Sequence, residues 1–111
     1  MKFLCFYKPG KKEGTPPAQE EIAKMSKLIE EGFKSGRLIA TEGCMPSEYG
    51  ARVRLANGKV TVTDGPFVEA KELVGGFALI NATSKEDAIQ FVQEFLRVAG
   101  DGETEIMQIW E

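Results

Sequence analysis

An α+β fold, with two helices on one face of a mainly antiparallel sheet, is what the order of local patterns predicts. Three observations carry this expectation. Two segments repeat apolar residues at helical spacing: Ile22, Met25, Ile29 and Phe33, then Ala88, Phe91, Val92, Phe95 and Ala99. Short apolar runs with strand-like composition flank each of them. Between the two halves, Asn57-Gly58 joins two alternating stretches, and that pair favours a two-residue hairpin turn because both positions need positive φ.

Lys2 to Tyr7 is apolar on both parities, as in a strand covered on both faces. Lys8 to Gly14 is polar and marked by Gly and Pro, hence a loop. Thr15 is placed to cap the first helix, with Pro16 at its first position and Glu20 and Glu21 near its positive end. Gly36 suits a left-handed stop. Arg37 to Thr41 reads as a short strand and Gly43 to Gly50 as a loop.

Ala51 to Thr63 forms the hairpin. Its turn sets Leu55 against Val60 and Val53 against Val62, so these four share one face. Arg52, Arg54, Lys59, Thr61 and Thr63 share the other face. Asp64-Gly65-Pro66-Phe67 is a turn, and Glu72 to Ala82 is a strand interrupted by Gly75-Gly76. Ser84 starts the second helix, with Asp87 placed for a capping-box contact, and Gly100 to Gly102 ends it. Thr104 to Trp110 is the last strand. The simplest arrangement is a ferredoxin-like sheet with two helices on one face and an added β-hairpin, one domain over residues 1–111.

Composition narrows the function classes. The chain has 111 residues, 42% of them hydrophobic, which suits one globular domain. A net charge of −3, with both signs scattered, gives no support for nucleic-acid or anionic-membrane binding. The short apolar start does not read as a signal peptide, and no apolar run is long enough to span a bilayer, so a cytoplasmic location is the expectation. Cys5 reads as a small buried hydrophobe and Cys44 as a turn residue; two such cysteines make no disulfide framework. The chain has no histidine, which removes the usual general base and the commonest metal ligand, so no metal or cofactor is expected.

Asp64 is the leading candidate for chemistry. It has the parity of Val60 and Val62, so its carboxylate is expected to point toward the apolar side, where it would suit a general acid or base. The competing reading is structural: Asp before Gly-Pro often starts a turn and accepts backbone N–H bonds. Gly65 permits unusual φ, Pro66 stiffens the turn, and Phe67 is expected to plug the core or stack on a ligand. Glu69 and Lys71 follow as candidate pocket groups, against a solvated edge. Gly75-Gly76 marks a bulge or a close backbone approach and does not match a phosphate loop. Arg52 and Arg54 could hold an anion or lie in an inter-subunit contact, though solvated charge is the more common outcome, and Trp110 is expected to have a packing or dimer-contact role.

The stretch from Val62-Thr63-Asp64-Gly65-Pro66-Phe67-Val68 through Glu69-Ala70-Lys71-Glu72 to Leu73-Val74-Gly75-Gly76-Phe77 closely resembles the signature of the DGPF-domain branch of the YCII-related family. Ala99 to Ile106 and Thr41-Glu42-Gly43 fit the same branch. The resemblance implies a ferredoxin-like fold that dimerises through its sheets into an α+β barrel, a cleft near the Asp64 turn, and a bacterial, cytoplasmic setting. A His–Asp pair has been suggested as catalytic elsewhere in the family, and only the Asp half has a counterpart here, at Asp64. Two functions follow as expectations. One is a small-molecule enzyme using Asp64 for proton transfer, with Gly65, Pro66, Phe67, Glu69 and Lys71 around the ligand. The other is a non-catalytic ligand-binding or accessory module, linked to sigma-factor stress signalling. A homodimer is expected under either, because strands apolar on both parities need cover on both faces.

Overall fold

The computed structural model describes residues 1–67 and 73–111. Its elements run β1 (Lys2–Pro9), α1 (Gln19–Ser35), β2 (Leu38–Gly43), a 3₁₀ turn (Ser47–Tyr49), β3 (Ala51–Ala56), β4 (Lys59–Asp64), β5 (Gly76–Asn81), α2 (Lys85–Ala99) and β6 (Gly102–Gln108). The main sheet has the order β2-β5-β1-β6, and every neighbouring pair is antiparallel. This is the ferredoxin-like order expected, with β3 and β4 forming a separate two-stranded sheet.

Strand parity decides which residues meet the helices. Phe3 and Cys5 of β1 pair with Ile80 and Ala78 of β5, and these side chains point to the helical face. There they pack with Leu38 of β2 and with Ala88, Phe91 and Val92 of α2. The opposite parity, Leu4, Phe6, Phe77 and Leu79, lies on the other face, and no described element makes extensive contact with it.

Helix α2 follows its sequence pattern closely. Ser84 accepts a hydrogen bond from the Asp87 N–H at 3.1 Å, and Asp87 in turn accepts from the Thr83 N–H at 2.9 Å. That bond holds the Asp87 carboxyl below its ordinary pKa, with the Arg37 charge adding to it. Arg37 also lies 4.7 Å over the Phe91 ring, so the start of β2 is tied to α2.

Helix α1 departs from expectation at its start. Thr15 does not cap it: its hydroxyl and its N–H both donate to the Lys12 carbonyl, within the preceding loop. The consecutive prolines 16 and 17 disfavour helical geometry in the residues before them, so the helix begins at Gln19 with Ala18 as an N-cap lacking a side-chain bond. The predicted left-handed stop at Gly36 is present, with φ 78°. Gly32 is the buried residue of α1, and a Cβ there would stand 2.9 Å from Leu38 Cβ, so the helix packs tightly on β2 at that point.

Several strand boundaries also shift: β1 runs on to Pro9 and β2 to Gly43, past the ends expected, and β6 begins at Gly102 rather than Thr104. The strand expected from Glu72 begins at Gly76, residues 73–75 lie outside it, and Glu72 is beyond the described residues. The last strand ends at Gln108, paired with Phe3, and not at Trp110; beyond it one more backbone bond, from the Ile109 N–H to the Lys2 carbonyl at 2.9 Å, still ties the chain to β1. Trp110 is 99% exposed, so within this chain it does not pack.

The hairpin has the predicted register throughout, from Ala51↔Asp64 to Ala56↔Lys59. Asn57 and Gly58 both take positive φ, 52° and 75°. Its apolar face is bare: Val53, Leu55, Val60 and Val62 are 61–70% exposed.

Candidate functional site

Asp64 is the last residue of β4, opposite Ala51. It has the parity of Val60 and Val62, as expected, but its surroundings are not apolar, because no described residue covers that face and Asp64 is exposed. Gly65 is needed for a different reason from the one anticipated. Its φ is not positive; a Cβ there would stand 1.7 Å from the Ser47 carbonyl oxygen, so only glycine permits the approach. The Gly65 N–H donates to the Gly50 carbonyl at 3.0 Å, and the bond to Pro66 is cis.

Phe67 does not plug the core. It is half-buried, and the Arg52 guanidinium lies 4.6 Å from its ring centroid. Arg52 is therefore engaged on the protein itself rather than merely solvated. Glu69 and Lys71 lie outside the described residues.

One serine holds this turn in place. The Ser47 hydroxyl accepts from the Phe67 N–H at 3.0 Å and donates to Glu13 Oε2 at 2.9 Å, while its own N–H donates to Glu13 Oε1. Ser47 thus joins three segments remote in sequence: the loop before α1, the 3₁₀ turn, and the Asp64–Phe67 turn. Nothing in the local pattern singles out Ser47 or Glu13, because the link exists only once the three loops meet.

Glu13 also borders a cavity. The cavity, of about 950 Å³, lies between α1, α2 and the helical face of the sheet. Ile22, Met25 and Ile29 of α1 form one wall, and Phe91, Val92 and Phe95 of α2 another. The floor is Cys5 and Tyr7 of β1, Leu38 and Thr41 of β2, Ala78 and Ile80 of β5, and Thr104 of β6. Glu13, Cys44, Met45 and Pro46 stand at the rim. Asp64, Gly65, Pro66 and Phe67 do not line it; they reach its rim through Ser47 and Glu13.

Gly75 and Gly76 close one end of this cavity. The Gly75 N–H donates to the Tyr7 carbonyl at 2.7 Å, and its carbonyl accepts from the Cys44 N–H at 2.9 Å. A Cβ at Gly75 would stand 2.8 Å from Pro9 Cδ, and one at Gly76 would stand 2.8 Å from the Glu42 carbonyl oxygen. The expected close backbone approach is present.

The ionisable groups in the cavity are few. Burial pushes the Cys5 thiol up to about 11, so it stays protonated. The Tyr7 phenol is also pushed up, first by burial and then by the nearby charges of Glu21 and Asp101. Lys11 pairs with Glu21 at 3.3 Å. Among the described residues no group of three or more Cys, Asp or Glu is arranged to hold a metal ion. No helix among them is long and apolar enough to cross a membrane.

A family model for the YCII-related domain matches residues 1–111. The chain belongs to the YCII-related family. A curated relative is similar to this YCII-related chain over 61 residues at 34% identity: an uncharacterised protein, R00369, of Rhizobium meliloti (strain 1021). That match takes in 55% of this chain and 49% of the relative, so it spans about half the relative's length. A solved structure is similar in fold, with a TM-score of 0.52 at 16% identity, covering 100% of this chain and 94% of that one. It is the 5-chloro-2-hydroxyhydroquinone dehydrochlorinase (TftG) of Burkholderia phenoliruptrix AC1100, in complex with 2,5-dihydroxybenzoquinone. At that identity the likeness shows the α+β architecture of the YCII-related chain and nothing finer.

Proposed function

We propose that this YCII-related chain binds a small, largely apolar molecule in the cavity between α1 and the sheet. The observation that carries this reading is the cavity itself. Its volume of about 950 Å³ falls within the roughly 300–1,000 Å³ of small-molecule sites. Its walls are mostly aliphatic and aromatic, with a small number of polar groups on the floor and rim, which is the composition that binds an apolar body and fixes its orientation. The name of the structural neighbour adds support: that enzyme is named for a substituted aromatic ring, and an apolar-walled cavity of this volume suits a body of that class. The exposed free thiol of Cys44 fits a reducing, cytoplasmic setting.

The test is saturable binding of 1-methylnaphthalene, followed by calorimetry, to the natural sequence and to Met25→Trp. Met25 lines the cavity, and an indole there would fill part of it. Saturable binding that Met25→Trp abolishes, with the variant still folded by circular dichroism, is the expected result. No saturable binding to the natural sequence would sink the proposal.

Proton transfer at Asp64 is a second reading, and one observation favours it. Asp64 shares a face with four exposed apolar side chains, Val53, Leu55, Val60 and Val62. A second copy of the chain lying on that face would place the carboxylate at a subunit boundary next to the cavity rim. The branch signature around Asp-Gly-Pro-Phe belongs to this second reading.

A further inference from the structure

The cavity floor carries two hydroxyls that the fold does not use. Tyr7 and Thr104 face each other across the β1–β6 ladder, so their side chains stand on the same face of the sheet, and both line the cavity. Thr104 Oγ1 is buried and has no hydrogen-bond partner among the described residues. The Tyr7 hydroxyl makes no hydrogen bond to a described residue either. A buried hydroxyl without a partner is uncommon and costs stability unless something else satisfies it.

The Tyr7 ring is held on three sides. It meets Phe95 edge to face, with centroids 5.0 Å apart. A Cβ at Gly102 would stand 3.0 Å from Tyr7 Cε1, and one at Gly75 would stand 3.5 Å from Tyr7 Cδ2. The two glycines thus flank opposite edges of the ring, leaving room for it and fixing where the phenol points. A phenol reaches further from its strand than a threonine hydroxyl, so the pair presents polar atoms at two heights on an otherwise apolar floor. The carboxylates of Glu21 and Asp101 are close enough to act on the phenol electrostatically. Lys11 pairs with Glu21 at 3.3 Å, which leaves chiefly the Asp101 charge to disfavour an anionic ligand group beside Tyr7.

Building on the cavity reading, we propose that Tyr7 and Thr104 form the polar recognition pair of that site, hydrogen-bonding an uncharged oxygen, a hydroxyl or carbonyl, on a planar apolar ligand. The pair selects for the oxygen; the aliphatic and aromatic walls select for the body.

Three probes of one shape separate the contributions: 1-methylnaphthalene without oxygen, 1-naphthol with an uncharged hydroxyl, and 1-naphthoate with an anionic group. Binding is measured by calorimetry to the natural sequence, Tyr7→Phe, Thr104→Val and the double variant. Both substitutions keep shape: Phe retains the contact with Phe95, and Val retains the branched side chain. The natural protein is expected to bind 1-naphthol most tightly and 1-naphthoate least. Each single variant is expected to weaken 1-naphthol roughly fivefold to tenfold, about one net hydrogen bond, and not to weaken 1-methylnaphthalene. If 1-naphthol and 1-methylnaphthalene bind the double variant with the same losses, or with none, the cavity stands and the recognition pair is overturned. If neither neutral probe binds the natural protein, the cavity reading fails and the pair fails with it.

Discussion

The two cysteines show how much one residue's surroundings decide. Cys5 is 5% exposed, among Phe3, Ile80 and Phe91, and burial raises its pKa from 9.0 to about 11. Cys44 is exposed at the cavity rim. Since the thiolate is the reactive form, iodoacetamide at pH 8 should alkylate Cys44 in the folded protein and spare Cys5. Peptide mass spectrometry reads this directly, and Cys5 labelling at the Cys44 rate would contradict the packing. The folded state favours the neutral thiol, so the Cys5 contribution is present below the unfolded value of 9.0 and is lost as pH rises through about 11.

At the scale of elements, the parts that could be read in advance are those whose determinants are local. Asn57-Gly58 dictates the hairpin turn, and period-2 alternation then leaves one register, which is the one found. Ser84 and Asp87 likewise announce the start of α2. Replacing Ser84 by Ala should cost about 1 kcal/mol and lower the melting temperature by roughly 4 °C; no change in a thermal melt would mean that the cap contributes nothing. The start of α1 was less legible, since Thr15-Pro16 has the letters of a helix start, but its hydroxyl turns back to Lys12 and two prolines delay the helix. Gly75-Gly76 could be flagged as a close approach, but what approaches, Pro9, Tyr7 and Glu42, depends on β1 and β2 both meeting β5.

For the molecule as a whole, the candidate site was the least legible part. Sequence parity placed Asp64 correctly on the apolar face of the hairpin, yet it could not say whether that face is covered. The cavity arises from how α1 sits over the sheet, and the Tyr7–Thr104 pair from a ladder between strands almost a chain length apart. An isolated two-stranded hairpin with one bare apolar face is marginal in water. Covering Val53, Leu55, Val60 and Val62 would contribute about 1.5–3 kcal/mol for each side chain fully buried. We therefore expect sedimentation to show a dimer at tens of micromolar, and Leu55→Glu to shift it to monomer. A natural sequence that sediments as monomer would remove the homodimer from this account.

Trp110 is the sole tryptophan of the chain and stands almost wholly in solvent. Its indole already has the environment that unfolding would give it. Emission from the folded single chain should therefore resemble that of indole in water, and chemical denaturation should barely move its wavelength, however cooperative the loss of the core. The same signal becomes informative about association. A blue shift that grows with protein concentration would come from a neighbour closing over the C-terminal end, read against a background that folding leaves silent.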